Sequence, residues 1–243
     1  SVNNNMYWMG TDNFFVYDGR VNVLKCPLTR YVFEDINRDQ AQLVYGGTNK
    51  EFSEVIWFYC SGGSTPSPTI DRYVVYNYRD ETWYYGQLNR TTWFDAGINR
   101  HPLATSGGYI YSHENGPNDG QPLGAPPLPM SAYIQSAFMD IADGEFYMLT
   151  KRVIPDVDFT ASETIDPVTG ATLVPAVTMA VAVTKFPGAA SQTTDVAGTT
   201  LTRNVTTATG AIDQYTNQVF IRARGRQMNF KISSNTLGTQ WQL

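Results

Sequence analysis

Short β-prone runs punctuated by turn residues recur along this chain, and that punctuation limits it to an all-β fold of small antiparallel units. Tyr7-Trp8-Met9-Gly10, Phe14-Phe15-Val16-Tyr17 and Val21-Asn22-Val23-Leu24 are separated by Thr11-Asp12-Asn13 and Asp18-Gly19. Val55-Ile56-Trp57-Phe58-Tyr59 reads as a buried strand, and Ser61-Gly62-Gly63-Ser64-Thr65-Pro66-Ser67-Pro68 as the loop of a hairpin. Tyr73-Val74-Val75-Tyr76-Asn77-Tyr78 returns, turns at Asp80-Glu81 and continues as Trp83-Tyr84-Tyr85. A single helix is predicted, over residues 34–43, with Asp35 as its N-cap. Aromatics make up 13% of the 243 residues and charged residues only 16%, so the chain carries enough apolar surface to fold. No run of 18 apolar residues occurs, and no transmembrane helix is expected.

Glycine and proline crowd residues 116–129, which marks a boundary between regions 1–127 and 128–243. Beyond it, residues 134–141 read as a strand that turns at Asp143-Gly144 into Phe146-Tyr147-Met148-Leu149. Residues 177–183 form another strand, and residues 218–224 and 228–232 a hairpin around Gly225-Arg226. Two long polar stretches, 160–172 and 188–210, exceed ordinary connections, so they are expected to be functional or mobile loops. The chain starts without Met and stops directly after strand-like sequence at Trp241, so a fragment of a longer protein is expected.

The first region contains an approximate echo. Trp8-Met9-Gly10 followed by Phe15-Val16-Tyr17-Asp18-Gly19 is matched by Ala104-Thr105-Ser106-Gly107-Gly108 followed by Ile110-Tyr111-Ser112-His113-Glu114-Asn115-Gly116. Short antiparallel strands recurring in this way are the pattern of β-propeller blades, and 1–127 has room for two or three of them. A β-sandwich with aromatic strands is the alternative architecture. The run from Val74 through Asp80-Glu81-Thr82-Trp83, the Leu103-Ala104-Thr105-Ser106-Gly107-Gly108-Tyr109-Ile110-Tyr111 segment and the terminal Arg222-Ala223-Arg224-Gly225-Arg226 stand in an order that resembles the tail-hub, or packaged-DNA-stabilisation, proteins of tailed bacteriophages. The resemblance is loose over 5–128 and closer over 216–243, while 155–215 departs from it. It implies a partial β-propeller followed by a β-sandwich-like C-terminal region. It also implies a non-enzymatic structural role in the virion tail, assembled in the host cytoplasm. Its partners would be copies of itself in a ring, sixfold by the resemblance, with portal or adaptor and other tail proteins, and DNA as the contents of the channel.

Few residues suggest chemistry. His101 and His113 sit in turn-like sequence and read as surface residues, and no Gly-x-Ser-x-Gly nucleophile motif occurs. Cys26 and Cys60 read as small packing residues. Asp71, Asp80, Glu81 and Asp95 stand at turns, where carboxylates are solvated or cap the backbone. Residues 114–120 lack the twelve-residue calcium-loop pattern, so no metal, cofactor or catalytic residue is expected. A formal net charge of −5 argues against a free nucleic-acid binder. Arg222, Arg224 and Arg226 are the sharpest charge feature. At a spacing of two they share one strand face as far as the strand extends, and they are candidates for a subunit interface or a DNA-channel contact. Trp57, Trp83 and Trp93 are candidates for stacking on sugars in the competing reading, a carbohydrate- or receptor-binding module of a tail tip.

Overall fold

The computed structural model describes residues 2, 4–63, 69–120, 125–166, 168–185, 192–196, 199–203 and 205–243. Parts of the segments read as loops or boundary lie outside the described residues: 64–68, 121–124, 167 of the first polar stretch, and 188–191, 197–198 and 204 of the second. The fold is mostly β, built of open antiparallel sheets, and the chain divides into two compact units, Ser1–Asn115 and Gly116–Leu243. The Gly/Pro-rich segment thus belongs to the second unit. Among the described residues no helix is long and apolar enough to cross a membrane.

In the first unit β1 (Met6–Met9), β2 (Phe14–Tyr17) and β3 (Val21–Leu24) form one sheet. β4 (Tyr45–Asn49), β5 (Glu54–Tyr59), β6 (Arg72–Asn77) and β7 (Thr82–Gln87) form a second, and β8 (Thr92–Phe94), β9 (Leu103–Ser106) and β10 (Tyr109–Ser112) a third. Alternation along β5 and β6 explains how they stack. Val55, Trp57, Tyr59, Val74 and Tyr76 enter one core with Tyr7, Met9 and Phe14 of the first sheet. Ile56, Phe58 and Val75 enter the opposite core with Trp93 of the third. The four-stranded sheet is therefore covered on both faces, which is why its central strand is an unbroken apolar run after Glu54. The echoed segments are the β1–β2 and β9–β10 hairpins of the two outer sheets.

The helix is displaced from its predicted place. α1 spans Thr29–Asp35, ending where the predicted helix begins, and 3₁₀ turns follow over Arg38–Leu43. The Thr29 hydroxyl donates to the Cys26 carbonyl (2.7 Å) at the first turn, a local bond that residue pattern alone did not single out. Asp35 is no cap: its carboxylate accepts from the Tyr59 hydroxyl (3.3 Å) and lies 3.5 Å from the Arg72 guanidinium. Asn37 instead accepts from the Asp39 amide (3.1 Å) and starts the 3₁₀ segment.

The second unit opens with a two-residue ribbon, β11 (Asn118–Asp119) and β12 (Leu128–Pro129). It continues with β13 (Ala132–Gln135), β14 (Met139–Asp140), β15 (Met148–Val153), β16 (Ala176–Thr184), β17 (Gln192–Val196), β18 (Thr199–Arg203), β19 (Val205–Asp213), β20 (Val219–Gly225) and β21 (Gln227–Ser234). One sheet has the order β13-β21-β16-β19, with β14 also on β21; β15 pairs β20, and β17 pairs β18. Val177, Met179, Val181 and Val183 of β16 share a core with Val219, Ile221 and Ala223 of β20. Three expectations are corrected here. The strand over 134–141 is two short strands on β21, and much of the 188–210 stretch is strand. β20 and β21 do not form a hairpin: they belong to different sheets, and Gly225-Arg226 is the corner between them. A Cβ on Gly225 would sit 2.6 Å from the Thr184 carbonyl oxygen, so the corner requires glycine.

Phe14 is fully buried and lies 5.0 Å from Trp57 and 4.8 Å from Trp83, ring centre to ring centre. Phe14→Ala is expected to destabilise the first unit by about 3–5 kcal/mol, read as a lower urea midpoint by tryptophan fluorescence.

Candidate functional site

The outward face of the β15–β20 ribbon gathers cations. β20 alternates strictly: Val219, Ile221 and Ala223 are buried, and Phe220, Arg222 and Arg224 are exposed. Across the ladder Arg152 stands opposite Phe220 and Leu149 opposite Arg224. A register shift between Thr150 and Arg152 leaves both Lys151 and Arg152 exposed. None of Lys151, Arg152, Arg222 and Arg224 has an acidic partner within 4.0 Å among the described residues. Arg152 donates to the Gln218 side-chain carbonyl (3.3 Å), and Arg224 lies 4.9 Å over the Tyr147 ring.

Arg226 departs from this row because β20 ends at Gly225. Its guanidinium donates to the Gly144 carbonyl (3.0 Å) and also faces Tyr147, while its amide donates to the Thr184 carbonyl (2.8 Å). It ties down the corner rather than facing outward. Lys151 and Arg152 join the candidates in its place. Adjacent cations in a β-prone stretch were visible in the sequence, but their pairing with β20 was not.

A groove of about 560 Å³ opens in the first unit where the leading strands β1, β4 and β8 meet; Trp8, Gly46, Gly47, Trp93, Phe94 and Asp95 are among its walls. Trp93 lies flat on β4 because position 47 is glycine: a Cβ there would meet the indole at 2.5 Å. Its indole N–H donates to the Thr48 carbonyl (2.8 Å). Asp95 accepts from the Thr48 hydroxyl (2.7 Å) and the Ala96 amide (2.8 Å). Of the three predicted sugar-stacking residues only Trp93 offers this groove a partly open ring. Trp57 is buried against Trp83, and Trp83 donates to the Lys25 carbonyl (3.0 Å) and packs on Tyr76. Trp8 and Phe94 also border the groove and are exposed, though alternation along β1 and β8 sends their rings away from the middle sheet; the sequence reading did not single them out.

Both histidines are half-buried, a correction to the expected surface position. His113 Nε2 accepts from Arg90 Nε (2.9 Å), and its ring packs on Trp93 at 4.9 Å. Burial, and then the Arg90 charge, push its pKa down to about 4. Glu54 accepts from the Tyr84 hydroxyl (2.8 Å), and burial holds its carboxyl above the ordinary range. Asp71 accepts from the Ser61 amide (2.8 Å) and hydroxyl (2.7 Å), a structural turn contact. Cys26 and Cys60 are both free thiols. No group of three or more His, Cys, Asp or Glu side chains among the described residues is placed to hold a metal ion.

The chain matches no protein-family model and no curated protein.

The His113 geometry predicts a pH effect. The folded state resists protonation that the unfolded chain accepts below about 6.5. Stability from this group is therefore present above that value and is lost as pH falls toward about 4. Glu54, whose pKa is raised, acts in the opposite sense over the acid range. The difference in Tm between the wild type and His113→Gln isolates the histidine: it is expected to shrink steadily from pH 7 to pH 4.

Proposed function

We propose that this chain is a structural subunit of a bacteriophage tail, part of the hub and channel below the portal, and that it helps retain packaged DNA without catalysing a reaction. In this reading the first unit is a partial β-propeller, with its three stacked sheets as blades, and the second is a β-sandwich-like region. The observation that carries the reading is the amount of apolar surface on a rigid β framework. In the second unit Tyr133, Ile134, Ile141, Phe146, Leu149 and Phe220 are each 53–74% exposed, whereas a soluble monomer ordinarily keeps its apolar patches to a few hundred Å². Such surface suits subunits that meet copies of themselves and neighbouring tail proteins in a ring. The outward cations Lys151, Arg152, Arg222 and Arg224 suit a contact with phosphate or with a neighbour's carboxylates.

A second reading is a carbohydrate- or receptor-binding module of a tail tip. It is favoured by the groove, which Trp93 and Asp95 line together and Trp8 and Phe94 border.

Virions carrying Arg222→Gln with Arg224→Gln test the tail reading, with Arg226 kept because it holds the corner. Particles are expected to assemble poorly or to lose their DNA, while the purified variant keeps its β circular dichroism. Normal particles filled with DNA, together with glycan binding by the wild-type chain that Trp93→Ala abolishes, would move the protein to the second reading.

A further inference from the structure

We propose that Asn49, Glu54 and Glu114 form a calcium site between the β4–β7 sheet and the end of the third sheet. The inference goes beyond the tail reading and does not depend on it.

The strands bring the three side chains together. Asn49 closes β4, Glu54 opens β5, and the register sets them directly opposite each other. Directly opposed residues of an antiparallel pair point to one face, with Cβ atoms about 5 Å apart. That face is the one that meets the third sheet, because Ile56 and Phe58 follow Glu54 at a spacing of two into the core they share with Trp93. Glu114 arrives from the other side, just after β10, and its carboxylate accepts from Asn49 Nδ2 (3.2 Å). Tyr84, opposite Val75 on the same face, donates its hydroxyl to Glu54 (2.8 Å). The Glu114 backbone holds a φ of +55°, a conformation uncommon outside glycine, asparagine and aspartate.

These carboxylates have no counterion in the protein. Glu54 is buried, and among the described residues neither it nor Glu114 has a lysine, arginine or histidine nitrogen within 4.0 Å. Burial raises both carboxyls above the ordinary range. At Glu54 the Tyr84 hydrogen bond opposes the rise and the charge of Glu114 adds to it. At Glu114 the charge of Glu51 adds to it, and the Asn49 hydrogen bond and then His101 oppose it. Buried carboxylates keep their charge where they are paired or coordinate a metal.

Asn49 gives the independent sign of a ligand. The residue is fully buried, and its amide nitrogen is used on Glu114. Its oxygen, Oδ1, is buried with no hydrogen-bond donor among the described residues. A buried acceptor without a donor is destabilising. Oδ1 and Nδ2 belong to one planar group, so Oδ1 borders the carboxylate that Nδ2 touches. Turning the amide over sets oxygen against oxygen while Glu114 is ionised. A cation resolves the whole arrangement, because it takes Oδ1 as a ligand and neutralises the two carboxylates.

The donors select the ion. Two carboxylates and an amide carbonyl are hard oxygen ligands, without thiolate or imidazole. Calcium accepts about six to eight such oxygens in flexible geometry, water included, whereas magnesium demands a near-ideal octahedron and gives up its water reluctantly. Bound there, the ion fastens the middle sheet to the segment that leaves β10.

The experiment titrates calcium chloride into the chelator-treated full chain at pH 7 by calorimetry, with Tm measured in chelator and in calcium. The wild type is expected to bind calcium, and calcium at about a hundred times its dissociation constant is expected to raise Tm by about 5–10 °C. Glu54→Gln and Glu114→Gln are each expected to weaken binding about tenfold or more, and neither is expected to lower Tm in chelator, since each removes a buried charge. In the wild type itself calcium is expected to slow amide exchange in the peptides that contain Asn49, Glu54 and Glu114. Absence of binding overturns the site; if the glutamine variants are then more stable than the wild type at pH 7, the carboxyls share a proton instead. Equal binding by wild type and variants, or slowed exchange confined to other segments, places the ion elsewhere and overturns it too. The tail reading stands or falls on the virion experiment in every case.

Discussion

The first unit depends on one strand pair. β5 and β6 send successive side chains to opposite cores, so every residue from Val55 to Tyr59 is buried, as are Val74, Val75 and Tyr76. Burying a sheet on both faces needs partners on both sides, and aromatic rings provide them. Phe14 touches Trp57 and Trp83 on one side, and Phe58 packs with Tyr45 and Trp93 on the other. Large rings remove much area from water per contact and prefer the tilted and offset geometries seen here. The polar cost is confined to the strand's first residue, where Glu54 is held by Tyr84, and to Asn49 beside it in register.

The same alternation, applied once, yields a different surface in the second unit. β20 has one buried face and one open one, and the open one carries Phe220, Arg222 and Arg224. The corner at Gly225 then removes Arg226 from the row and turns it to the Gly144 carbonyl. Three arginines at equal spacing in sequence therefore have two physical roles. Two face outward with Lys151 and Arg152, and the third fastens the junction between two sheets.

Much of the fold was legible in the sequence, because strand period and turn residues act locally. The runs at Phe14, Val21, Val55 and Tyr73 are strands within a residue or so of their predicted limits. What was not legible depends on long-range contacts. Residues 218–224 and 228–232 look like a hairpin, but their partners are β15, β13, β14 and β16, separated from them in sequence by tens of residues. Asp35 looks like a helix cap by residue type, yet it ends the helix and turns to Tyr59 and Arg72, while the first turn opens at Thr29 with its bond to Cys26. At the groove, Trp93 was singled out from its residue type, whereas Trp8 and Phe94 gain their place only when the leading strands of three sheets come together. The burial of His113 against Arg90 and Trp93 follows from the third sheet's packing on β4, which no local pattern announces.

Hydrogen exchange across the first unit, followed by mass spectrometry at the peptide level, tests most directly whether the doubly covered sheet holds that unit together. Amides of β5 and β6 are expected to exchange last, only through opening of the whole unit, and after those of β1–β3 and β8–β10, whose outer faces are open. Exchange of β5 as fast as that of β3 or β10 would contradict the account.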